Sequence, residues 1–268
     1  MYELTLLLPI LLVSGMFAGL LAGLLGVGGG IVIVPMLYHI FVYIGIDIEI
    51  AMPLSIGTSL STIVVTSIIS ARAHHKKGGI DWDLTKRWLP FVIIGVIIGS
   101  YSSKYIDGSN LKFMFGILLL VVSLHMIINS FKSLIIADKL PGRQGQSIFA
   151  ILLGFFASLL GIGGGTLMVP TLTLFSFQIH KAVSTASIFG LIISIPATIG
   201  YVIVGWGVAD LPVASTGYIN WVAFIILVPM TMLFAPLGVK LAYKLNIKQL
   251  KFAFAVFLAL VGIKMILI

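Results

Sequence analysis

Gly26-Val27-Gly28-Gly29-Gly30 runs into Ile31-Val32-Ile33-Val34-Pro35, and 135 positions later Gly161-Ile162-Gly163-Gly164-Gly165 runs into Thr166-Leu167-Met168-Val169-Pro170. Both runs lie inside long apolar stretches, where a solvent-exposed turn has no place. Adjacent glycines interrupt a helix, since each is about 1 kcal/mol less favourable there than alanine. The same break in corresponding places of two halves is the sequence pattern of discontinuous membrane helices around a midplane binding site.

Composition makes the bilayer the solvent of this chain. Of 268 residues, 60% are hydrophobic and 9% charged, and the mean hydropathy is +1.21. Apolar segments fall at about 4–25, 30–45, 51–71, 88–104, 110–131, 146–161, 165–179, 182–204, 217–239 and 250–268. They are long and do not alternate, which excludes an outer-membrane barrel. An all-α polytopic membrane protein is expected. Segments 30–45, 146–161 and 165–179 fall short of the roughly 20 residues a crossing needs. The pairs flanking the glycines are therefore either full crossings or re-entrant half-helices. Cysteine is absent, so disulfides and thiolate metal sites do not arise. Met1-Tyr2-Glu3 lacks a basic lead, so the first segment reads as a retained span.

The net charge of +8 is a matter of orientation. Arg72, Lys76, Lys77, Lys86 and Arg87 share one loop, and Lys132, Lys139 and Arg143 another. Lys181 lies in a third loop, and Lys240, Lys244, Lys248 and Lys251 in a fourth. All fall on one side, whereas the other side has Lys104 and Lys112 against Glu3, Asp47, Glu49, Asp107 and Asp210. The positive-inside rule then places the N-terminus outside a cytoplasmic (inner) membrane. Nucleic-acid binding is not needed to explain the charge.

The duplication extends past the glycines. Leu111-Lys112-Phe113-Met114-Phe115 matches Leu250-Lys251-Phe252-Ala253-Phe254 at an offset of 139, which also pairs Pro90 with Pro229 and Gly99 with Gly238. Gly57-Thr58-Ser59 resembles Ser184-Thr185-Ala186 at an offset of 127. An odd number of segments per copy turns the second copy over. Residues 1–131 and 146–268 are thus expected to be inverted repeats joined by a cytoplasmic linker at 132–145, an arrangement suited to alternating access.

The chemistry expected at the breaks is anion binding. A helix resuming after each glycine run directs unpaired N–H groups and its positive dipole end into the gap. An oxyanion satisfies those donors without lysine or arginine. The candidate site residues are Gly28, Gly29, Gly30, Gly163, Gly164 and Gly165, with Thr58, Ser59, Thr185 and Ser187 as hydroxyl donors. Back-bonding to the helix is the competing use of such hydroxyls. His39 is the candidate for proton coupling, while His74 and His75, beside Lys76-Lys77, read as solvated loop residues. No nucleophile–base pair, HExxH or Gly-x-Ser-x-Gly stands in the membrane segments, so an enzyme is not expected. Neither a cofactor nor a metal is implied.

The paired Gly-x-Gly-Gly-Gly-x-x-x-Val-Pro motifs at 26–35 and 161–170 and the Gly57-Thr58-Ser59 segment resemble the TauE/SafE family of sulfite exporters and anion permeases. The Gly200-Tyr201 stretch leading to Gly205, and the Leu- and Phe-rich terminal helix, add to the resemblance. It implies a secondary transporter that moves sulfite, an organosulfonate or a similar small sulfur-containing anion across the cytoplasmic membrane. Its partners would be that anion, the lipid bilayer and, in some carriers of this size, a second copy in a homodimer. The family pattern is broken at Thr185-Ala186-Ser187, where Ser187 only partly replaces the expected serine. A channel-like anion conductor, or a carrier for a non-sulfur carboxylate, is the alternative.

Overall fold

The computed structural model describes residues 2–25, 28–131, 135–242 and 247–267. Gly26, Val27, Lys132 and Lys244 lie outside the described residues, as do the side chains of Glu3, Lys248, Leu250, Lys251 and Ala253. Ten α-helices appear among the described residues: α1 (Tyr2–Leu25), α2 (Gly30–Tyr43), α3 (Ile48–His75), α4 (Trp82–Ser102), α5 (Gly108–Phe131), α6 (Arg143–Leu159), α7 (Gly165–Leu174), α8 (Ile179–Val204), α9 (Trp221–Ala242) and α10 (Ile247–Leu267). A helix satisfies its backbone within the segment, as lipid demands. Among the described residues α3, α4 with the short turn after it, α5, α8 and α9 are long and apolar enough to cross a membrane.

The helices after the breaks are not. α2 has 14 residues and α7 has 10, about 21 and 15 Å at 1.5 Å per residue. Neither traverses a hydrocarbon core of about 30 Å, and so the half-helix alternative fits them. The expected segment 217–239 starts later than its hydropathy suggests. Ser215–Thr216 and Ile219–Asn220 form a small antiparallel pair, β1 and β2, ahead of α9. The Tyr218 N–H is donated to the Tyr201 carbonyl near the end of α8, which holds this hairpin against the helices.

Helix partners are reciprocal between the halves. α1 packs on α9 and α6 on α4; α3 packs on α8 and α5 on α10; α3 also meets α9 as α8 meets α4. Small residues at spacings of four make the closest of these contacts. A methyl added at Gly23 of α1 would lie 2.0 Å from the Ala235 carbonyl oxygen, and one at Gly95 of α4 2.0 Å from that of Ile151. Backbones in such contact pack by dispersion where lipid offers no hydrophobic drive. α3 forms the centre: its residues from Ala51 to Ile63 are all buried.

Candidate functional site

The two glycine breaks meet. Gly28 (φ 75°), Gly29 (φ 82°) and Gly161 (φ 68°) occupy the left-handed region, which other residues reach only at about 1–2 kcal/mol. A methyl on Gly28 would stand 3.2 Å from the Gly163 Cα, and one on Gly30 2.4 Å from the Gly161 carbonyl oxygen. The tips of the two helix pairs therefore touch backbone to backbone. Ile63 of α3 lies against Gly28 and Gly30, while Phe189 and Ile193 of α8 lie against Gly164. Ser59 joins the halves by donating its hydroxyl to the Gly161 carbonyl at 2.9 Å.

Neither α2 nor α7 has a side-chain cap at its start. The Gly29 carbonyl accepts from the N–H groups of Val32 and Ile33, and the Gly164 carbonyl accepts from Met168 N–H. The Thr166 N–H is donated to the Gly163 carbonyl at 3.2 Å, and the remaining N–H groups of the first turns, which precede these bonds, have no intrahelical acceptor. Thr166, in the first turn of α7, is buried and its hydroxyl has no partner. Thr166 is not among the site residues expected from the sequence. Its one signal is that the second motif has threonine where the first has Ile31.

The threonine pair is placed differently from expectation. Gly57 of α3 packs on Tyr201 of α8, Ser67 on Gly190, and His74 on Ser184. The two helices are thus antiparallel, and residues paired by the 127-residue offset lie at opposite ends of their crossing. Thr185 adjoins Ser184 at the His74 level, 16 residues or about 24 Å along α3 from Thr58. One small anion does not bridge the two. Each hydroxyl instead accepts a backbone N–H just before a helix of the other half. Thr58 takes that of Asn220 at 2.9 Å and Thr185 that of Asp81 at 3.0 Å. Asn220 and Asp81 then accept the N–H groups of Ala223 and Leu84, capping α9 and α4. Ser187 bonds back to the Ser184 carbonyl at 2.7 Å. Of the four hydroxyl candidates, Ser59 is the one seen at the breaks.

The start of α4 carries charge. Lys181 Nζ lies 3.0 Å from an Asp81 carboxylate oxygen. Burial pushes the Asp81 carboxyl up, but the Leu84 N–H and the Lys181 ammonium outweigh it and hold the group below its ordinary value. His39 sits on α2 nine residues beyond Gly30, about 14 Å along the axis, with its ring edge-on to Tyr38 at 5.3 Å. Its Nε2 is buried without a partner. His75 is exposed as expected, but neither histidine is a loop residue: both lie in the last turn of α3, and His74 is 2% exposed. The loop after it folds back over α8, which removes it from water. Among the described residues no three His, Asp or Glu side chains are grouped to hold a metal.

A family model described as Sulfite exporter TauE/SafE matches residues 11–265. A probable membrane transporter protein of Haemophilus influenzae is 34% identical, covering 96% of this chain and 97% of its own. One from Methanocaldococcus jannaschii is 31% identical over 99% of this chain and 98% of its own. A third, YunE of Bacillus subtilis, is 29% identical over 96% of each. No solved structure matches the chain.

Proposed function

This chain belongs to the Sulfite exporter TauE/SafE family and is a multi-pass membrane transporter, not an enzyme, and from that premise we propose a secondary carrier for a small sulfur-containing anion, sulfite or an organosulfonate. The observation that carries this reading is the contact of two uncapped helix starts at Gly28 and Gly163. Paired helix N-termini favour an oxyanion without a fixed cation. The anion lies between Gly28–Gly30 and Gly163–Gly165, with Ser59 and Thr166 as hydroxyl donors at the two breaks.

The tips touch in the described conformation, so the anion enters when they part. Residues 1–131 and 146–268 act as inverted repeats, and rocking of one against the other opens the breaks to each side in turn. The reciprocal helix partners support this arrangement. The basic loops face the cytoplasm and the N-terminus faces outward.

The test is ligand-dependent thermal stabilisation of the detergent-purified protein against sulfite, thiosulfate, sulfonates, sulfate and carboxylates. A ligand of the folded state raises its apparent stability with occupancy. A shift confined to sulfur oxyanions and lost in Gly164→Leu is expected. A shift with carboxylates alone contradicts the substrate class, and one unchanged in a folded Gly164→Leu contradicts the site.

A further inference from the structure

We infer that His74 is a proton-binding site that governs the loop closing the basic-loop end of the α3–α8 crossing. Its consequence for transport rests on the carrier reading above; the proton site itself does not. The two halves differ here in an informative way. At the 127-residue offset His74 corresponds to Tyr201. Tyr201 is fully buried and satisfied, donating its hydroxyl to the Leu159 carbonyl at 3.0 Å. His74 is as deeply placed but unsatisfied. Its Nδ1 lies 3.2 Å from the Ser184 hydroxyl, and its Nε2 is buried without a partner.

Ser184 decides the tautomer. Its oxygen lies 2.7 Å from the His180 carbonyl, to which its single proton is donated. Nδ1–H of His74 then donates to Ser184, and Nε2 presents a bare lone pair in a dry setting. A ring kept only for packing would be matched as Tyr201 is, because an unpaired buried polar atom is destabilising.

A short loop folds over the Ser184 side of this pair. Gly79 presses on Ser184 so closely that a methyl there would come 2.3 Å from the hydroxyl oxygen. The Gly79 N–H points to the His74 carbonyl at 3.4 Å, and the Asp81 N–H is held by Thr185. The charged and titratable groups around His74 are Arg72, His75, Lys76 and Lys77 on its own helix and loop, His180 and Lys181 on α8, and Asp81 before α4. Protonation places a second positive charge beside Lys77 and His180 while Asp81 is engaged by Lys181. A buried charge without a partner is unfavourable. The protonated ring is accommodated when residues 76–81 lift and admit water, so proton uptake and loop opening occur together.

Hydrogen exchange of the full chain in detergent tests this directly. The readout is amide exchange of residues 76–81, corrected for its intrinsic pH dependence, across the histidine range of about pH 5–8. Opening coupled to one proton rises up to about tenfold per pH unit on acidification. His74→Gln should abolish the rise, while His75→Gln and His180→Gln keep it. A flat wild-type loop, or a rise retained in His74→Gln, overturns the inference. Ser184→Ala removes the Nδ1 partner and should move the midpoint; an unmoved midpoint also counts against it. In proteoliposomes, an imposed proton gradient should accelerate sulfite flux severalfold in the wild type. His74→Gln should retain sulfite counterflow and lose that acceleration. If sulfite flux is absent from the wild type while the loop response stands, the carrier reading fails and the proton site survives.

Discussion

The start of α4 and the start of α9 are the same device built twice with different charge. In each, a buried threonine of one half accepts the N–H of a capping residue in the other: Thr185 with Asp81, Thr58 with Asn220. Each capping side chain accepts the N–H three residues on, and a tryptophan, Trp82 or Trp221, follows it. The first start is ionic, through Lys181, and is covered by a loop that ends in Asp81. The second is neutral, has Leu54 where the 127-residue offset places Lys181, and is covered by the β1–β2 hairpin. Similar backbone arrangements thus set where the two helix starts are held, while side chains decide which of them responds to charge.

Substitutions at the glycines covering these starts should separate them most strongly. A methyl on Gly57 would meet the Tyr218 carbonyl oxygen at 2.1 Å, a backbone atom, whereas one on Gly79 meets the Ser184 side chain, Oγ at 2.3 Å and Cβ at 2.8 Å. Gly57→Ala should therefore lower stability by about 1–3 kcal/mol as an overpacked core site. Gly79→Ala should lower it less, since Gly79 stands in a short loop that can shift away from Ser184. Melting in detergent compares the two; equal losses would show that the hairpin yields as easily as the loop.

Thr58→Val and Thr185→Val probe the shared part. Each strands a backbone N–H, for about 1–3 kcal/mol, and the two losses should be similar because both threonines are fully buried. An unchanged melting point in either variant would show that the hydrogen bond does not hold that start. Asp81→Ala and Asn220→Ala should each lose about 1 kcal/mol of capping. Only the Asp81 variant should also lose sensitivity to salt, because its ion pair is partly exposed and screened.

The smallest effect is a titration. The folded Asp81 carboxyl lies below its ordinary value of 3.8. Its contribution is thus complete above that value and lost as pH falls through the lower, folded value. Exchange at Leu84 should rise on acidification below about pH 4, with Ala223 unaffected. A matching rise at Ala223 would remove the distinction.

The helices, the breaks and their order are legible in the sequence, because hydropathy and glycine act locally. The touching tips are not: spacing gives Gly28 and Gly163 equivalent places without saying that they meet. The placement of Thr58 and Thr185 depends on the antiparallel register of α3 and α8, which no local signal carries. Hydroxyls at the same repeat position look convergent until that register separates them. His74-His75-Lys76-Lys77 reads as a wet loop by composition, yet the fold-back at Gly79 buries the first of the four. The small-residue spacing at Gly15, Gly19 and Gly23 is visible in the sequence, but its partner, α9, is not.

In the proposed carrier the two breaks form one anion site reached alternately from each side. Counterflow of radiolabelled sulfite in proteoliposomes, for wild type and a folded Gly164→Leu variant, tests it most directly. Saturable uptake stimulated by sulfite on the far side is expected in the wild type, and loss of both in the variant. Flux that rises linearly with sulfite and ignores the far side, or a variant as active as the wild type, would contradict it.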